Sequence, residues 1–323
     1  MAKSMSLLWG AGSPPCWRVM ITLEEKKLQG YKHKLLSFEK GEHKSQDVLE
    51  INPRGQVAVH AFITARDLHE LWKSINPITT CRFSSSGGGG EAVISKIMAQ
   101  DMTLLWGSGS PPCWRVMIAL EEKNLQGYNQ KLLSFEKMEH KSQEVIDINP
   151  RGQLPSFKHG DVIVNESYAA CFYLESQFKS QGNKLIPDSP AEQALMYQRM
   201  FEGLTFYEKL NAVIYYNWFV PEGERHDSAL NRNREALVTE LNLWEGYLQK
   251  LGSGSHLAGP SFSLVDVTVF PTVATLFRFG LSAEKYPKLG EYYALLKERP
   301  SVKASWPPHW LENPKGQDTL KDM

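Results

Sequence analysis

Neither sign of charge dominates this sequence: 36 Lys and Arg stand against 36 Asp and Glu, for a formal net charge of zero. Non-specific nucleic-acid binding needs a basic footprint, so nucleic acid is not expected as a partner. No apolar run approaches the roughly 18 residues that mark a membrane-spanning helix, and no membrane partner is expected. The opening MAKSMSLLWGAGSPP is interrupted by Gly10, Gly12 and Pro14 before a signal-peptide core could form, so a cytoplasmic location is the expectation. Cysteine is sparse. The four residues Cys16, Cys81, Cys113 and Cys171 match neither a metal-ligand spacing nor a disulfide framework, and no metal is expected. What remains is a chain of 323 residues, enough for about two domains at roughly 150 residues each.

A repeat is what the chain does have. Residues 1–56 align without a gap on 98–153, with 12 mismatches and 44 identities. Trp9 matches Trp106, Ser13 matches Ser110, Cys16 matches Cys113, and Asn52–Gln56 matches Asn149–Gln153. The similarity stops after Gln56. The segment 57–97 has no counterpart, and its Ser84–Gly90 run reads as a flexible linker. A solenoid needs three or more short units, so this is a duplicated domain start. The expected organisation is a partial duplicate (1–56), a non-homologous segment with linker (57–97), an α/β domain (98–180), a short linker (181–189) and an all-helical domain with a tail (190–323).

The second copy alternates in type. Met102–Trp106 reads as a short apolar strand, and Pro112–Gln126 as a helix closed by Gly127. Asn129–Leu133 reads as a strand and Lys141–Asn149 as a short helix. Leu154–Phe157 and Val162–Val164 flank a hairpin turn at His159-Gly160-Asp161, and Ser167–Phe178 reads as a helix. The order β-α-β-α-β-β-α indicates a small α/β layer domain. Beyond Ser189 the period becomes helical. Met196, Met200, Leu204, Tyr207, Leu210 and Ile214 form one stripe, and Leu237, Leu241, Trp244, Leu248 and Leu251 form another. Ser263 and Asp266 have the outline of a capping box, flanked by Phe262 and Val267 at staple positions. The last residues, from Trp306, read as a tail.

The chemistry concentrates at Trp106–Glu122, WGSGSPPCWRVMIALEE. Ser110 has the residue type of a helix N-cap, and Pro111 suits the first helical position. A hydroxyl there lies beside free backbone N–H groups and the positive end of the helix dipole, a place suited to an anion. Ser110 to Cys113 has the spacing of a redox C-x-x-C pair, but the outer, attacking position is serine, so Cys113 reads as a packed thiol.

Several motifs in this order resemble the cytosolic glutathione transferases. They are Ser110-Pro111-Pro112-Cys113-Trp114-Arg115-Val116, Ile148-Asn149-Pro150, Gln153-Leu154-Pro155, Asn165-Glu166-Ser167, Phe262–Asp266, Tyr286-Pro287-Lys288 and Arg299-Pro300-Ser301-Val302. The resemblance covers 102–312. Within the family the theta and zeta classes are near, and the wording SGSPPCWRVMIALEE is similar to the rho class. It implies a thioredoxin-like N-terminal domain followed by an all-α C-terminal domain, with an incomplete thioredoxin-like copy in front.

The resemblance also implies roles. Ser110 is the hydroxyl that stabilises the glutathione thiolate, with Ser108 as the alternative and a plain N-cap as the structural reading. Leu154 and Pro155 form a cis-proline corner presented to the cysteinyl backbone of the tripeptide. Glu166 and Ser167 hold the γ-glutamyl amine and carboxylate. His140 reaches the glycine carboxylate. Gln153 replaces a lysine frequent in theta enzymes, and Lys141 can substitute. Trp106, Ser108, Phe201 and Tyr207 are candidates for the electrophile pocket, with Trp306 and Trp310 from the tail. No cofactor is implied beyond reduced glutathione as co-substrate, and a homodimer is the usual assembly. The implied activity is conjugation of glutathione to hydrophobic electrophiles. A zeta-like maleylacetoacetate cis–trans isomerase and a non-catalytic binding module are the alternatives; Pro111-Pro112 in place of the zeta wording counts against the isomerase. The first copy has Ala58 where Pro155 would match and lacks the Glu-Ser pair, so it is expected to bind nothing and to be at best a loosely packed β-α-β fragment.

Overall fold

The computed structural model describes residues 5–57 and 97–323. The chain divides into two units, Met1–Gly89 with Ser189–Ala191, and Gly90–Asp188 with Glu192–Met323. The segment without a counterpart, its linker and Ala58 lie outside the described residues, apart from Val57 and Ile97 at its ends.

In the first unit, strand β1 (Ser6–Gly10), helix α1 (Pro14–Glu25), strand β2 (Lys32–Leu36) and helix α2 (Gln46–Ile51) follow the expected order. The two strands pair in parallel from Ser6 opposite Lys32 to Gly10 opposite Leu36. The apolar contacts fall into two small clusters, one of Met5, Leu7 and Leu23 and one of Cys16, Leu36, Val48 and Val57. Trp17 is 64% exposed here, whereas its twin Trp114 is 2% exposed in the second copy. The same helix sequence is covered in one context and open in the other.

In the second unit, two-residue strand β3 (Ile97–Met98) is followed by β4 (Met102–Trp106), α3 (Pro111–Glu122), two-residue strand β5 (Leu125–Gln126) and β6 (Asn129–Leu132). Helix α4 (Gln143–Ile148), strands β7 (Ser156–His159) and β8 (Val162–Val164), and helix α5 (Ser167–Gln177) complete the α/β part. The main sheet has the order β6-β4-β7-β8. β6 runs parallel to β4, while β7 and β8 are antiparallel additions. This is the thioredoxin-like arrangement.

Helix α3 stops at Glu122, four residues short of the expected end. Asn124 turns into the left-handed region at φ 52°, a conformation that asparagine tolerates better than most residues. Leu125 and Gln126 then pair in parallel with β3, and Leu125 is fully buried. Before α4, a 3-10 turn at Glu139–Lys141 takes up the first residue of the expected helix.

The helical part contains α6 (Pro190–Ile214), α7 (Tyr216–Phe219), α8 (Asp227–Leu251), α9 (Leu264–Arg278), α10 (Pro287–Lys297), α11 (Pro300–Ala304) and α12 (Pro308–Glu312). The buried face of α6 is Met196, Met200, Gly203, Phe206, Leu210 and Val213, so the expected Leu204 sits on the exposed side. Gly203 explains the rotation. A Cβ there would lie 2.6 Å from Val269 Cγ2, so a bare backbone is needed where α6 meets α9. The capping box at Ser263 and Asp266 is present and starts a helix whose first thirteen residues are all buried. That apolar helix packs against α3, with Trp114 edge-on to Phe270 at 5.6 Å between ring centroids. One continuous core therefore runs through both parts of the unit, from Leu104 and Phe157 to Phe206 and Trp244.

The expected tail is a packed element. Leu320 is fully buried, and backbone N–H groups of Gln317 and Leu320 donate to the carbonyls of Arg278 and Phe279. Apolar residues spaced too far apart to show a period closed it onto the end of α9.

Candidate active site

Strand β4 ends at Trp106, and the loop Gly107-Ser108-Gly109 delivers the chain to Ser110 at the N-cap of α3. The Ser110 Oγ accepts the Cys113 N–H at 3.5 Å. Its hydroxyl can donate as well, and its side chain also bonds to the Cys113 side chain. Pro111 and Pro112 occupy the first turn, where their missing N–H groups cost no helix bond. Cys113 is fully buried beneath this turn, and its sulfur accepts the Gly107 N–H at 3.4 Å. Burial pushes its thiol up to about 11 against the opposing effect of Ser110. Cys113 is a packed neutral thiol, as the serine in the outer position implied.

The other hydroxyl of the loop is already engaged. Ser108 Oγ lies 2.6 Å from Nδ1 of His309, a residue of α12. This separates the two serines: Ser108 is tied to the C-terminal segment, while among the described residues Ser110 at the helix start bonds only to Cys113, through its backbone N–H and its side chain.

The Leu154–Pro155 peptide bond is cis, and both residues are buried. The approach to it is held by Asn149, whose side chain donates to the Gln153 carbonyl at 2.9 Å, and by Ser156, which donates to the same oxygen at 3.0 Å. The Gln153 side chain is exposed. Lys141 donates to the carbonyls of Arg151 and Gly152 at 3.2 and 2.9 Å, so its ammonium holds this loop. His140 is half-buried, with its ring 5.3 Å from that of Phe135. Burial and the neighbouring Lys141 both push its imidazole below the ordinary value, which keeps it neutral near pH 7. Its Nδ1 has no hydrogen-bond partner among the described residues.

Glu166 is the N-cap of α5 but makes no side-chain cap bond; its carboxylate is exposed and stands 3.6 Å from Arg151. Ser167 opens the helix and is buried. Its Oγ accepts from Arg115 at 3.3 Å. Arg115 also donates to the Thr268 carbonyl at 2.7 Å and to Thr272 Oγ1 at 3.5 Å, and it lies about 5 Å from the ring centres of Tyr168 and Tyr207. Every partner is neutral. A buried cation without a carboxylate is costly to hold, and this one sits behind the hydroxyl that opens α5.

The electrophile candidates have different surroundings. Tyr207 stacks on Arg115, and Trp106 is buried at the end of β4. Phe201 is 61% exposed on α6. Trp306 and Trp310 line a separate cavity of about 620 Å³ with Phe277, Arg278, Tyr293 and Lys297. Two residues of the region had no role in the sequence reading. Arg115 carried a signal, a lone charge on a helix otherwise apolar through the same turns. His309 carried none, because the segment around it has no period.

A four-stranded mixed sheet with a serine at the first helix start, a cis-proline corner and an all-helical second part defines a two-part, thioredoxin-like class. Residues 108–183 match the description "Glutathione S-transferase, N-terminal domain", and 208–306 match "Glutathione S-transferase, C-terminal domain". The chain belongs to the glutathione S-transferase family. It is 76% identical over 226 residues to "Glutathione S-transferase A" of Pleuronectes platessa, covering 70% of this chain and all of that one. It is also similar to the crystal structure of a glutathione S-transferase from the Antarctic clam Laternula elliptica. There the identity is 37% and the TM-score 0.62, with 69% of this chain and 99% of that chain covered. A glutathione transferase of Phanerochaete chrysosporium, solved in complex with oxidised glutathione, matches at 26% identity and TM-score 0.56 over 67% of this chain and 97% of that one.

Proposed function

We propose that this glutathione S-transferase binds reduced glutathione along the second copy and adds its thiolate to hydrophobic electrophiles, as detoxification requires. The observation that carries the site assignment is the Ser110 N-cap. Its oxygen accepts the Cys113 N–H, and its hydroxyl can turn its proton from the neutral Cys113 thiol to an anion at the start of a twelve-residue helix. A thiol of ordinary pKa, about 8.5, is only a few per cent ionised near neutral pH. A donated hydrogen bond and a helix N-terminus both lower that value. The sulfur–hydrogen bond breaks with its proton passing to solvent, the sulfur lone pair forms the new carbon–sulfur bond, and the leaving group departs with its electron pair.

Leu154 and Pro155 present the cysteinyl backbone contact. Glu166 and Ser167 take the γ-glutamyl end, while His140, Lys141 and Gln153 take the glycine end. For the electrophile, Trp106, Ser108, Phe201 and Tyr207 are taken from the family resemblance alone. The cis corner, the neutral His140 and the Arg115-backed Ser167 support the glutathione contacts.

Membership of the rho class, a homodimer and a cytoplasmic location complete the proposal. The motif wording supports the class, and the homodimer is the usual assembly of the family. No helix among the described residues is long and apolar enough to cross a membrane. The proposed division is 1–56, 57–97, 98–180, 181–189 and 190–323, with the first copy inactive as a tandem duplicate. Ser13 supports that inactivity: it makes no cap bond and donates instead to the Val57 carbonyl at 3.4 Å.

The test compares wild type, Ser110→Ala and Ser13→Ala for turnover of an activated aryl halide. Loss of one hydroxyl donor at the reacting atom is expected to lower kcat about a hundredfold, while Ser13→Ala leaves it unchanged. Normal turnover in Ser110→Ala removes the assignment.

A further inference from the structure

We infer that His309, acting through Ser108, is a positioning residue that holds the loop before Ser110 in its thiolate-stabilising arrangement. The inference rests on the proposed role of Ser110.

The loop Gly107-Ser108-Gly109 is gripped from two sides. At Gly107 an added Cβ would collide with the Phe135 ring, so that ring packs directly on the backbone. At Gly109 an added Cβ would come within 2.5 Å of His309 Cε1 and 3.3 Å of Trp310 Nε1, and φ is +75°. Only glycine suits both the space and the backbone there. Between these two glycines, Ser108 Oγ and His309 Nδ1 are 2.6 Å apart. The segment that grips the loop is itself anchored. Trp310 is edge-on to Trp114 at 5.5 Å between centroids, and Arg278 lies over the Trp310 ring at 5.5 Å.

The imidazole can take the Ser108 proton because it is kept neutral. Burial lowers its pKa first and the Arg278 charge on α9 lowers it further, against the raising effect of Glu312 on its own helix. In the tautomer of the neutral ring that carries its proton on Nε2, Nδ1 accepts the Ser108 O–H.

The first copy supplies the counterpart without a latch. There the loop is Gly10-Ala11-Gly12-Ser13, with Phe38 packed on Gly10 as Phe135 is on Gly107. Among the described residues nothing lies within 4 Å of a Cβ added at Gly12, and alanine stands where Ser108 would be. The backbone at Ser13 (φ −86°, ψ 110°) is close to that at Ser110 (φ −78°, ψ 114°), yet its hydroxyl does not cap the helix. The corner with the latch has the capping serine, and the corner without it does not.

The experiment uses the full chain with glutathione and an activated aryl halide. It compares wild type with Ser108→Ala, which copies the first loop, with His309→Ala, with the double variant, with His309→Asn, and with Ser110→Ala as reference. The pH profile of kcat/KM and the ultraviolet thiolate absorbance of bound glutathione report the thiol pKa. Each single variant is expected to raise that pKa by about half a unit to one unit, a three- to tenfold loss of rate at acid pH that shrinks at alkaline pH. The double variant should lose no more than either single one, since both remove one contact. Asparagine, whose amide oxygen can accept the Ser108 proton, should restore most of the profile. The inference is overturned if the thiol pKa stays at the wild-type value in both single variants, or if their losses add. Ser110→Ala separates the two levels. A wild-type thiol pKa in that variant removes the Ser110 reading itself, whereas a raised one with unaltered Ser108→Ala and His309→Ala removes only the latch.

Discussion

Arg115 donates to Ser167 Oγ at 3.3 Å, so the guanidinium of α3 stands directly behind the hydroxyl that opens α5. The two helices that carry the proposed thiolate and γ-glutamyl contacts are thereby joined through one buried cation, which also reaches α9 at Thr268 and Thr272.

That geometry predicts a split between affinity and stability. Arg115→Lys keeps a charge but loses the planar fork that reaches three oxygens at once. Glutathione affinity should fall about tenfold, near the 1.5 kcal/mol of one charge-assisted hydrogen bond. Arg115→Met should weaken binding at least as much, while its stability changes little, because an apolar side chain replaces a cation that has only neutral partners. Calorimetric titration with glutathione and a thermal melt of each variant check the two halves. A large loss of Tm with unchanged affinity would contradict the assignment.

Glu122 is held at the opposite end of α3. Its carboxylate accepts from Arg299 at 2.6 and 2.8 Å, from Asn183 at 2.8 Å, and from Ser301. Burial pushes the carboxyl up, but Arg299, Ser301 and Asn183 together outweigh it, and the net shift is below the ordinary 4.5. A folded pKa below the unfolded one means stability that is fully present above about pH 4.5 and lost as pH falls through the depressed value. Arg299→Ala leaves the carboxylate unpaired and should cost about 3–5 kcal/mol at pH 7. In Glu122→Gln the acid-induced fall in Tm should be shallower than in wild type. Parallel Tm curves from pH 7 to pH 3 would refute this.

Cys113 and Cys171 are fully buried, and burial pushes their thiols up to about 11 and about 12. Both should resist iodoacetamide in the native protein at pH 8, and both should be labelled in denaturant. Peptide mapping by mass spectrometry reads each site. Rapid native labelling of Cys113 would revive the redox reading.

The C-terminal residues close over the end of α9, with Leu320 fully buried. Leu320→Ala should destabilise by about 2–4 kcal/mol, which denaturant titration would detect. A change within about 0.5 kcal/mol, the range of ordinary surface sites, would mean that the segment is not packed.

Much of the fold was legible because its causes are local. Ser110 before two prolines specifies a helix start whatever surrounds it, and so does the Ser263–Asp266 box, since each satisfies backbone groups within one turn. The order β-α-β-α-β-β-α followed from alternating periods. The end of α3 was missed because Leu125 is buried by pairing with a strand more than twenty residues earlier, not by helical spacing. Leu204 was placed on the wrong side of α6 because Gly203, which has no side chain to count, is where α9 approaches.

By itself, the sequence determined that a helix starts after each Ser-Pro-Pro and at the Ser263–Asp266 box, and which repeat carries the Leu154-Pro155 and Glu166-Ser167 pairs. It could not say which copy of WRVMI is covered, because Trp17 and Trp114 have the same neighbours along the chain. Tertiary structure decided that, along with the Arg115–Ser167 and Ser108–His309 contacts. Helix caps and periods are written within a turn or two of chain. These contacts join residues 52 and 201 positions apart: direct packing of α3 on α5 brings the first pair within hydrogen-bond reach, and the C-terminal segment folding back onto the loop brings the second.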